Sequence, residues 1–146
     1  MSDSLEDLLT ADHRVIDGLL KSIGQALAAG SMEAAGAQCR VMAGSLGHHM
    51  EWEESDLFPA VPPSARMSAR HVESLLIDHE RIRRTIQELG LALEGRQLQA
   101  ARESLDDLTV FLAGHNDDEE LGIYREADRV LGDEVKIRLA RSFRRN

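Results

Sequence analysis

Histidine and glutamate residues at helical spacing are the groups in this sequence that could do chemistry. The pattern His-x-x-x-Glu occurs twice, and residues four positions apart on a helix lie on the same face. Each pattern interrupts a series of apolar residues, so its imidazole and carboxylate point where aliphatic side chains are expected. Two further histidines interrupt two other apolar series. The six candidate metal-ligating residues are His13, His49, Glu53, His79, His115 and Glu119.

Metal binding is the chemistry that this residue set favours. Four imidazoles and two carboxylates buried together without partners would destabilise a fold by several kcal/mol. Divalent cations would remove this cost, because neutral imidazole nitrogens and carboxylate oxygens are both metal ligands. Six side chains are too many for one ion that must also bind a substrate. Two ions, each bound by two histidines and bridged by Glu53 and Glu119, would use all six and leave coordination positions open. The ligand types suit iron or manganese, and they also permit zinc.

An internal repeat arranges these residues in two equivalent sets. The two halves of the sequence align without a gap when one is displaced by 66 residues, the difference between positions 13 and 79. The matched residues include Asp12-His13 with Asp78-His79, His49 with His115, and Glu53-Glu54 with Glu119-Glu120. The sequence therefore predicts that one helical hairpin is used twice.

Apolar residues three and four positions apart predict the helices that carry the candidate ligands. Residues that end or begin helices separate these series: Gly30-Ser31, the segment Pro59, Pro62, Pro63 and Ser64, then Gly95, and finally Gly132-Asp133. Short connections make successive long helices antiparallel. The predicted fold class is all-α: an antiparallel up-down-up-down four-helix bundle of two repeated helical hairpins. A short C-terminal helix would follow to about Arg141, and we expect one domain over residues 1–146.

The same geometry predicts that the four histidines form one layer. Residues equidistant from the turn of an antiparallel hairpin lie side by side. The midpoint of positions 13 and 49 is 31, at Gly30-Ser31, and the midpoint of positions 79 and 115 is 97, just beyond Gly95. The midpoint of positions 49 and 79 is 64, in the proline-rich connection. All three turns therefore place the four histidines at the same level of the bundle.

Composition restricts the remaining classes of function. The chain has 146 residues and a net charge of −9, which gives no reason to expect attraction to nucleic acid or anionic lipid. The acidic N-terminus does not resemble a signal peptide, and no apolar run approaches a membrane span. Cys39 is the only cysteine, so an intrachain disulfide is impossible. We therefore expect a cytoplasmic protein.

The motifs Asp12-His13-x-x-Ile16, His49-x-x-x-Glu53-Glu54, Asp78-His79-x-x-Ile82 and His115-x-x-x-Glu119-Glu120 resemble the hemerythrin or HHE cation-binding domain. The resemblance covers roughly residues 5–126. It implies a four-helix bundle with a non-haem di-iron site, in which the cofactor is two iron ions, with manganese or zinc as alternatives. It also implies that the four histidines are terminal ligands and that Glu53 and Glu119 are bridges.

Two departures from the oxygen-carrying members of this family stand out. They have a further histidine one turn before the third-helix ligand, where this chain has Leu75. Their last carboxylate is an aspartate five residues after its histidine, whereas Glu119 follows His115 by four. His71 is eight residues from His79, about 12 Å along a helix, and cannot easily substitute. The pattern therefore favours bacterial hemerythrin-like proteins over oxygen carriers, and it resembles the iron-sensing hemerythrin domain of a ubiquitin-ligase F-box protein.

Two functions remain open alongside a metal-free structural bundle. The first is a di-iron protein that binds, senses or reduces dioxygen, peroxide or nitric oxide, and as an enzyme it would be an oxidoreductase. The second is an iron-dependent binding or sensing module, or an iron store, without turnover. The expected partner is a small diatomic ligand or peroxide, with no nucleic acid and no membrane. No catalytic residue and no protein partner are assigned.

Residues near the ligands have less specific interpretations. Glu54 and Glu120 either support the ligands by hydrogen bonds or belong to a solvated helix face. His48 and His71 have no repeat partners and are interpreted as surface or supporting residues. Three aromatic residues are interpreted as packing residues, and they are Trp52, Phe58 and Tyr124.

Overall fold

The computed structural model describes residues 4–145, and within this range it contains helices and no strand. The helices in chain order are α1 (Leu5–Ala28), α2 (Met32–Trp52), a π-helical turn (Glu53–Leu57), α3 (Phe58–Ala60), α4 (Ala69–Glu94), α5 (Leu98–Leu121), α6 (Ile123–Val130) and α7 (Asp133–Arg145). The prediction of an all-helical protein is confirmed. Over the same range, no helix is both long and apolar enough to cross a membrane.

Local sequence explains where the long helices begin and end. Ser4, Ser31 and Ser68 precede α1, α2 and α4, and each side-chain oxygen accepts a hydrogen bond from a backbone N–H of the first turn. Such caps satisfy donors that have no partner within the helix. Gly30, with a φ of 76°, makes the turn between α1 and α2 in a conformation that costs glycine little. Gly95 ends α4, as predicted.

The second helical segment ends at Ala60, within the predicted proline-rich connection, after the π-helical turn has continued directly into α3 with Pro59 in its first turn. One predicted boundary differs from the structure. The C-terminal helix begins at Asp133 as predicted, but it continues to Arg145 instead of stopping near Arg141.

The four long helices pack around one core as a helical bundle. Helix α1 contacts α2 and α5, and α4 contacts the same two helices. Helix α6 packs against α1 and α5, and α7 reaches α1. Every long helix therefore touches two others, so each can direct side chains into a shared interior.

Two apolar clusters divide this interior. The bundle cluster includes Ile16, Leu20, Met42, Leu46, Ile82 and Leu112. The end cluster includes Leu5, Leu9, Trp52, Leu75, Leu139 and Phe143. Along α1 the chain passes from the end cluster at Leu9 through His13 to the bundle cluster at Ile16, so the histidine lies between them. Each fully buried aliphatic side chain contributes about 1.5–3 kcal/mol, and together they keep water from the layer between the clusters.

Regular α-helical structure ends at or just after each predicted bridging glutamate. The π-helical turn begins at Glu53, and α5 ends at Leu121, two residues after Glu119. These two places are equivalent in the repeat. A Cβ added at Gly122 would lie 2.7 Å from the carbonyl oxygen of Asp118, so only glycine fits this break without a shift. Such π-turns are frequent at functional sites.

Candidate metal centre

All six predicted site residues are buried and meet in one layer. None is more than 4% exposed. They form two groups whose ligand atoms lie within 4.8 Å of one another: His13, His49, Glu53 and Glu119 in the first, and Glu53, His79, His115 and Glu119 in the second. Because Glu53 and Glu119 belong to both groups, the structure contains two adjacent sets of four donors. Both sets could hold a metal ion.

The two glutamates lie between the histidine pairs. Glu53 places Oε2 3.2 Å from Nε2 of His49 and Oε1 3.2 Å from Nε2 of His79. Glu119 Oε1 lies 3.3 Å from Nε2 of His13 and 3.4 Å from Nε2 of His115. Each carboxylate therefore faces one histidine of either group, which is the position that a bridging ligand requires.

Every histidine of the layer is held from outside by a second carboxylate. In each case Nδ1–H donates to the carboxylate, which leaves Nε2 directed into the layer. The pairs are His13 with Glu120 (2.7 Å), His49 with Asp12 (2.7 Å), His79 with Glu54 (2.7 Å) and His115 with Asp78 (2.9 Å). Such partners fix the ring orientation and tautomer and make Nε2 a better metal ligand.

The outer carboxylates decide between the two interpretations of Glu54 and Glu120, and they add Asp12 and Asp78 to the residues of the site. Glu54 and Glu120 support ligands, as one of the two interpretations proposed. Asp12 and Asp78 had no predicted role, although both belong to the repeated motif. The repeated spacing could have indicated this role, because Asp12 precedes His49 by 37 residues and Asp78 precedes His115 by the same 37.

Arginines neutralise part of this negative charge. Arg14 Nη2 lies 2.8 Å from Glu120 Oε2, and Arg83 Nη1 lies 2.9 Å from Glu54 Oε2. Partial burial alone would raise the pKa of Glu54, but Arg83 and His79 outweigh it and lower this pKa below its ordinary value. The carboxylate therefore stays ionised and accepts the hydrogen bond from His79.

Tyr124 is more than the packing residue that the sequence predicted. Its ring is fully buried in the end cluster, but its hydroxyl lies in the first group of donors. The phenol oxygen is 2.5 Å from Glu53 Oε2, 3.0 Å from Glu119 Oε1, and 3.0 Å from Nε2 of both His13 and His49. The repeat concealed this role, because the equivalent residue is Phe58. That ring stacks on His79 at a centroid distance of 5.8 Å.

Helix α7 covers the first group from outside. The Phe143 ring meets the ring of His49 edge-on at 5.5 Å. Its backbone oxygen lies 3.2 Å from Nε2 of His48, so this half-buried histidine supports α7 and not the metal layer. Trp52 packs in the end cluster as predicted, and its Nε1–H donates to Ser142 Oγ at 3.1 Å. His71 belongs to neither group of donors.

The pKa values of the buried histidines and glutamates show how charge is balanced in the layer. Burial by itself lowers the pKa of His49, but the carboxylates of Glu53 and Asp12 outweigh it and raise the pKa to about 10. Burial is likewise outweighed at His79, where Glu119 and Glu53 raise the pKa to about 10. Burial would raise the pKa of Glu119, yet His115 and His13 hold it well below its ordinary value. Without metal, protons therefore supply the positive charge that the carboxylates require.

Unpaired atoms supply an independent test of whether a cation fits. Among the described residues, five buried side-chain atoms have no hydrogen-bond partner: Thr10 Oγ1, His71 Nε2, Glu53 Oε1, Glu119 Oε2 and His79 Nε2. The last three belong to the second group of donors, where Glu53 Oε1 and His79 Nε2 face each other at 3.2 Å. A buried polar atom left unpaired costs about 1–3 kcal/mol, and more when it is charged. A cation among these atoms would remove that cost, so the residues fit a metal.

Comparison with known families agrees with this chemistry. The profile of the Hemerythrin HHE cation binding domain matches residues 4–127. Because this match covers most of the chain, the protein belongs to the hemerythrin HHE family. Comparisons with curated proteins and with solved structures give no significant match. Helix α7 lies outside the matched residues.

Proposed function

We propose that this protein is a non-haem di-iron protein that binds or senses dioxygen, peroxide or nitric oxide. The observation that carries the proposal is the pair of four-donor groups that share Glu53 and Glu119. In this proposal each ion has two histidines as terminal ligands, and the two glutamates bridge the ions. His13 and His49 hold one ion, and His79 and His115 hold the other. The nitrogen-rich donor set favours iron, with manganese or zinc as alternatives.

When bound, the two ions would supply redox electrons and open coordination positions for a small ligand. The chain supplies the surroundings. Outer carboxylates hold the imidazoles in place, and the two apolar clusters exclude water from the layer. Leu75, which stands where oxygen carriers have another histidine, is 1% exposed and packs in the end cluster. The second group therefore has no further imidazole there, which supports an open position.

We also propose the arrangement and setting of the chain. The ring of contacts among α1, α2, α4 and α5, together with their short connections, supports the up-down-up-down antiparallel order. The packing of α6 and α7 on the same helices supports a single domain. The cytoplasm is the proposed location, on the basis of Cys39 as the lone cysteine.

Anaerobic loading with ferrous iron tests the proposal. We expect two irons per chain by elemental analysis. Admission of dioxygen, peroxide or nitric oxide should then change the near-ultraviolet and visible absorption of the iron. A chain that retains two irons but responds to none of the three ligands would contradict the ligand-binding function.

The unpaired and protonated groups of the metal-free layer favour a second candidate, an iron-dependent module or iron store without turnover. Metal that binds only the folded chain stabilises it, by about 2.7 kcal/mol when free metal is one hundred times the Kd. This candidate predicts a large rise in melting temperature with iron and no consumption of peroxide or dioxygen. Sustained turnover would exclude it, and equal melting temperatures with and without iron would do the same.

A further inference from the structure

The layer follows the internal repeat in its ligands but not in its aromatic neighbours. Position 124 is a tyrosine, and the repeat-equivalent position 58 is a phenylalanine. Both rings are buried beside the histidines of the layer. Only Tyr124 adds a donor atom, so the two groups of donors have different composition.

The distances around the Tyr124 oxygen fit hydrogen bonds in the metal-free chain and also fit ligands that share an ion. Atoms bound at right angles to one metal at about 2.1 Å lie roughly 3 Å apart. The phenol oxygen is 3.0 Å from Nε2 of His13, 3.0 Å from Nε2 of His49 and 3.0 Å from Glu119 Oε1. Its contact with Glu53 Oε2 is shorter, at 2.5 Å, and is a charge-assisted hydrogen bond in which the phenol donates to the carboxylate.

The Tyr124 oxygen converges with all four donor atoms of the first group. The Nδ1–H groups of His13 and His49 are donated to outer carboxylates, so with metal bound each Nε2 carries no proton and is an acceptor, as the two carboxylates are. The single phenol proton could then satisfy one of these four atoms, whereas a cation can satisfy all of them together with the phenol oxygen.

We propose that Tyr124 is a fifth protein ligand, through its phenolate oxygen, to the ion held by His13, His49, Glu53 and Glu119. This inference rests on the proposed two-metal centre. The phenol proton leaves to solvent when the ion binds. The ion held by His79 and His115 receives no such ligand, because Phe58 has no donor. The small ligand therefore binds at the second ion, whose coordination is less complete.

Spectroscopy of three ferric proteins tests the assignment: the unchanged chain, Tyr124→Phe and Phe58→Leu. Phenolate bound to ferric iron absorbs strongly in visible light, and excitation in that band enhances the ring vibrations of the phenolate in the resonance Raman spectrum. We expect the band and the vibrations in the unchanged chain and in Phe58→Leu. Tyr124→Phe should lose both while it keeps two irons per chain by elemental analysis.

The possible results test the role of Tyr124 separately from the existence of the metal centre. Two irons per chain with no phenolate vibrations, or with vibrations that persist in Tyr124→Phe, would overturn the role of Tyr124 and leave the metal centre intact. Loss of the signal in Phe58→Leu with both irons retained would also overturn the assignment. A chain that retains no iron would overturn both the inference and the proposed function.

Discussion

The two halves of the candidate metal centre contain the same kinds of ligand but are closed by different parts of the chain. His13 and His49 lie under Tyr124 and Phe143, which α6 and α7 supply. His79 lies beside Phe58 of α3. Ligands and their outer carboxylates therefore follow the repeat, whereas the covering residues do not.

Two copies of one hairpin therefore form two candidate metal positions with different surroundings. The repeated ligands give both positions the same set of two histidines and two shared glutamates. Tyr124 adds a donor atom to the first group, whereas Phe58 adds none to the second. The comparison predicts that changes to shared residues affect both halves and that changes to cover or outer residues affect one.

Loss of a shared carboxylate should have the largest effect. Glu119 belongs to both groups of donors, so Glu119→Gln should reduce the iron content from two ions per chain to fewer than one. His115 belongs to the second group alone, and His115→Gln should leave about one ion in the first group. Elemental analysis after anaerobic loading distinguishes the two. Equal iron content in both variants would contradict the bridging role.

Metal affinity should fall as pH falls. The pKa values of His49 and His79 are raised to about 10 without metal, so both rings carry protons below that pH and must release them when metal binds. Each displaced proton changes the affinity about tenfold per pH unit. The same groups stabilise the metal-free fold fully below their ordinary pKa of 6.5, and this stabilisation disappears as pH rises through about 10.

Calorimetry in buffers of different ionisation enthalpy measures the protons released on metal binding. We expect release at neutral pH, together with a metal-free melting temperature that falls between pH 6.5 and about 10. Binding with no proton release at neutral pH would show that the imidazoles are already neutral, against the balance of charge described above.

Outer carboxylates should have smaller effects that are confined to one half. Asp12→Asn weakens the partner of His49, and Asp78→Asn weakens the partner of His115. Loss of such a partner typically lowers metal affinity about 10–100-fold. Titration with a competing chelator should therefore show one weakened ion in each variant, and no change in Asp106→Asn, an exposed control on α5. Weakening of both ions alike would argue against independent halves.

The break at Gly122 should give the smallest effect. An alanine Cβ there would crowd the Asp118 carbonyl, and overpacking of this kind costs about 1–3 kcal/mol. Gly18→Ala is the matched control, because its Cβ meets nothing within 4 Å and alanine favours a helix by about 1 kcal/mol. Denaturant unfolding should show a loss of stability for Gly122→Ala and a gain for Gly18→Ala. Stabilisation by both would mean that the break is not required.

The features that could be predicted from the sequence are those encoded by the internal repeat and by helical periodicity. All six candidate ligands follow from polar residues in apolar series, and the turns at Gly30-Ser31 and Gly95 follow from local backbone chemistry. The hydroxyl position of Tyr124 could not be predicted, because it depends on the direction that α6 takes after Gly122. The length of α7 depends on tertiary contacts, among them Phe143 against His49, that no local pattern encodes.

Diffraction from crystals of the iron-loaded protein, recorded on both sides of the iron absorption edge, would locate the metal ions. We expect two anomalous peaks in the buried layer, one beside Nε2 of His13 and His49 and one beside Nε2 of His79 and His115, with Glu53 and Glu119 between them. A single peak, or iron only at surface carboxylates with the layer free of metal, would show that the layer does not hold two ions.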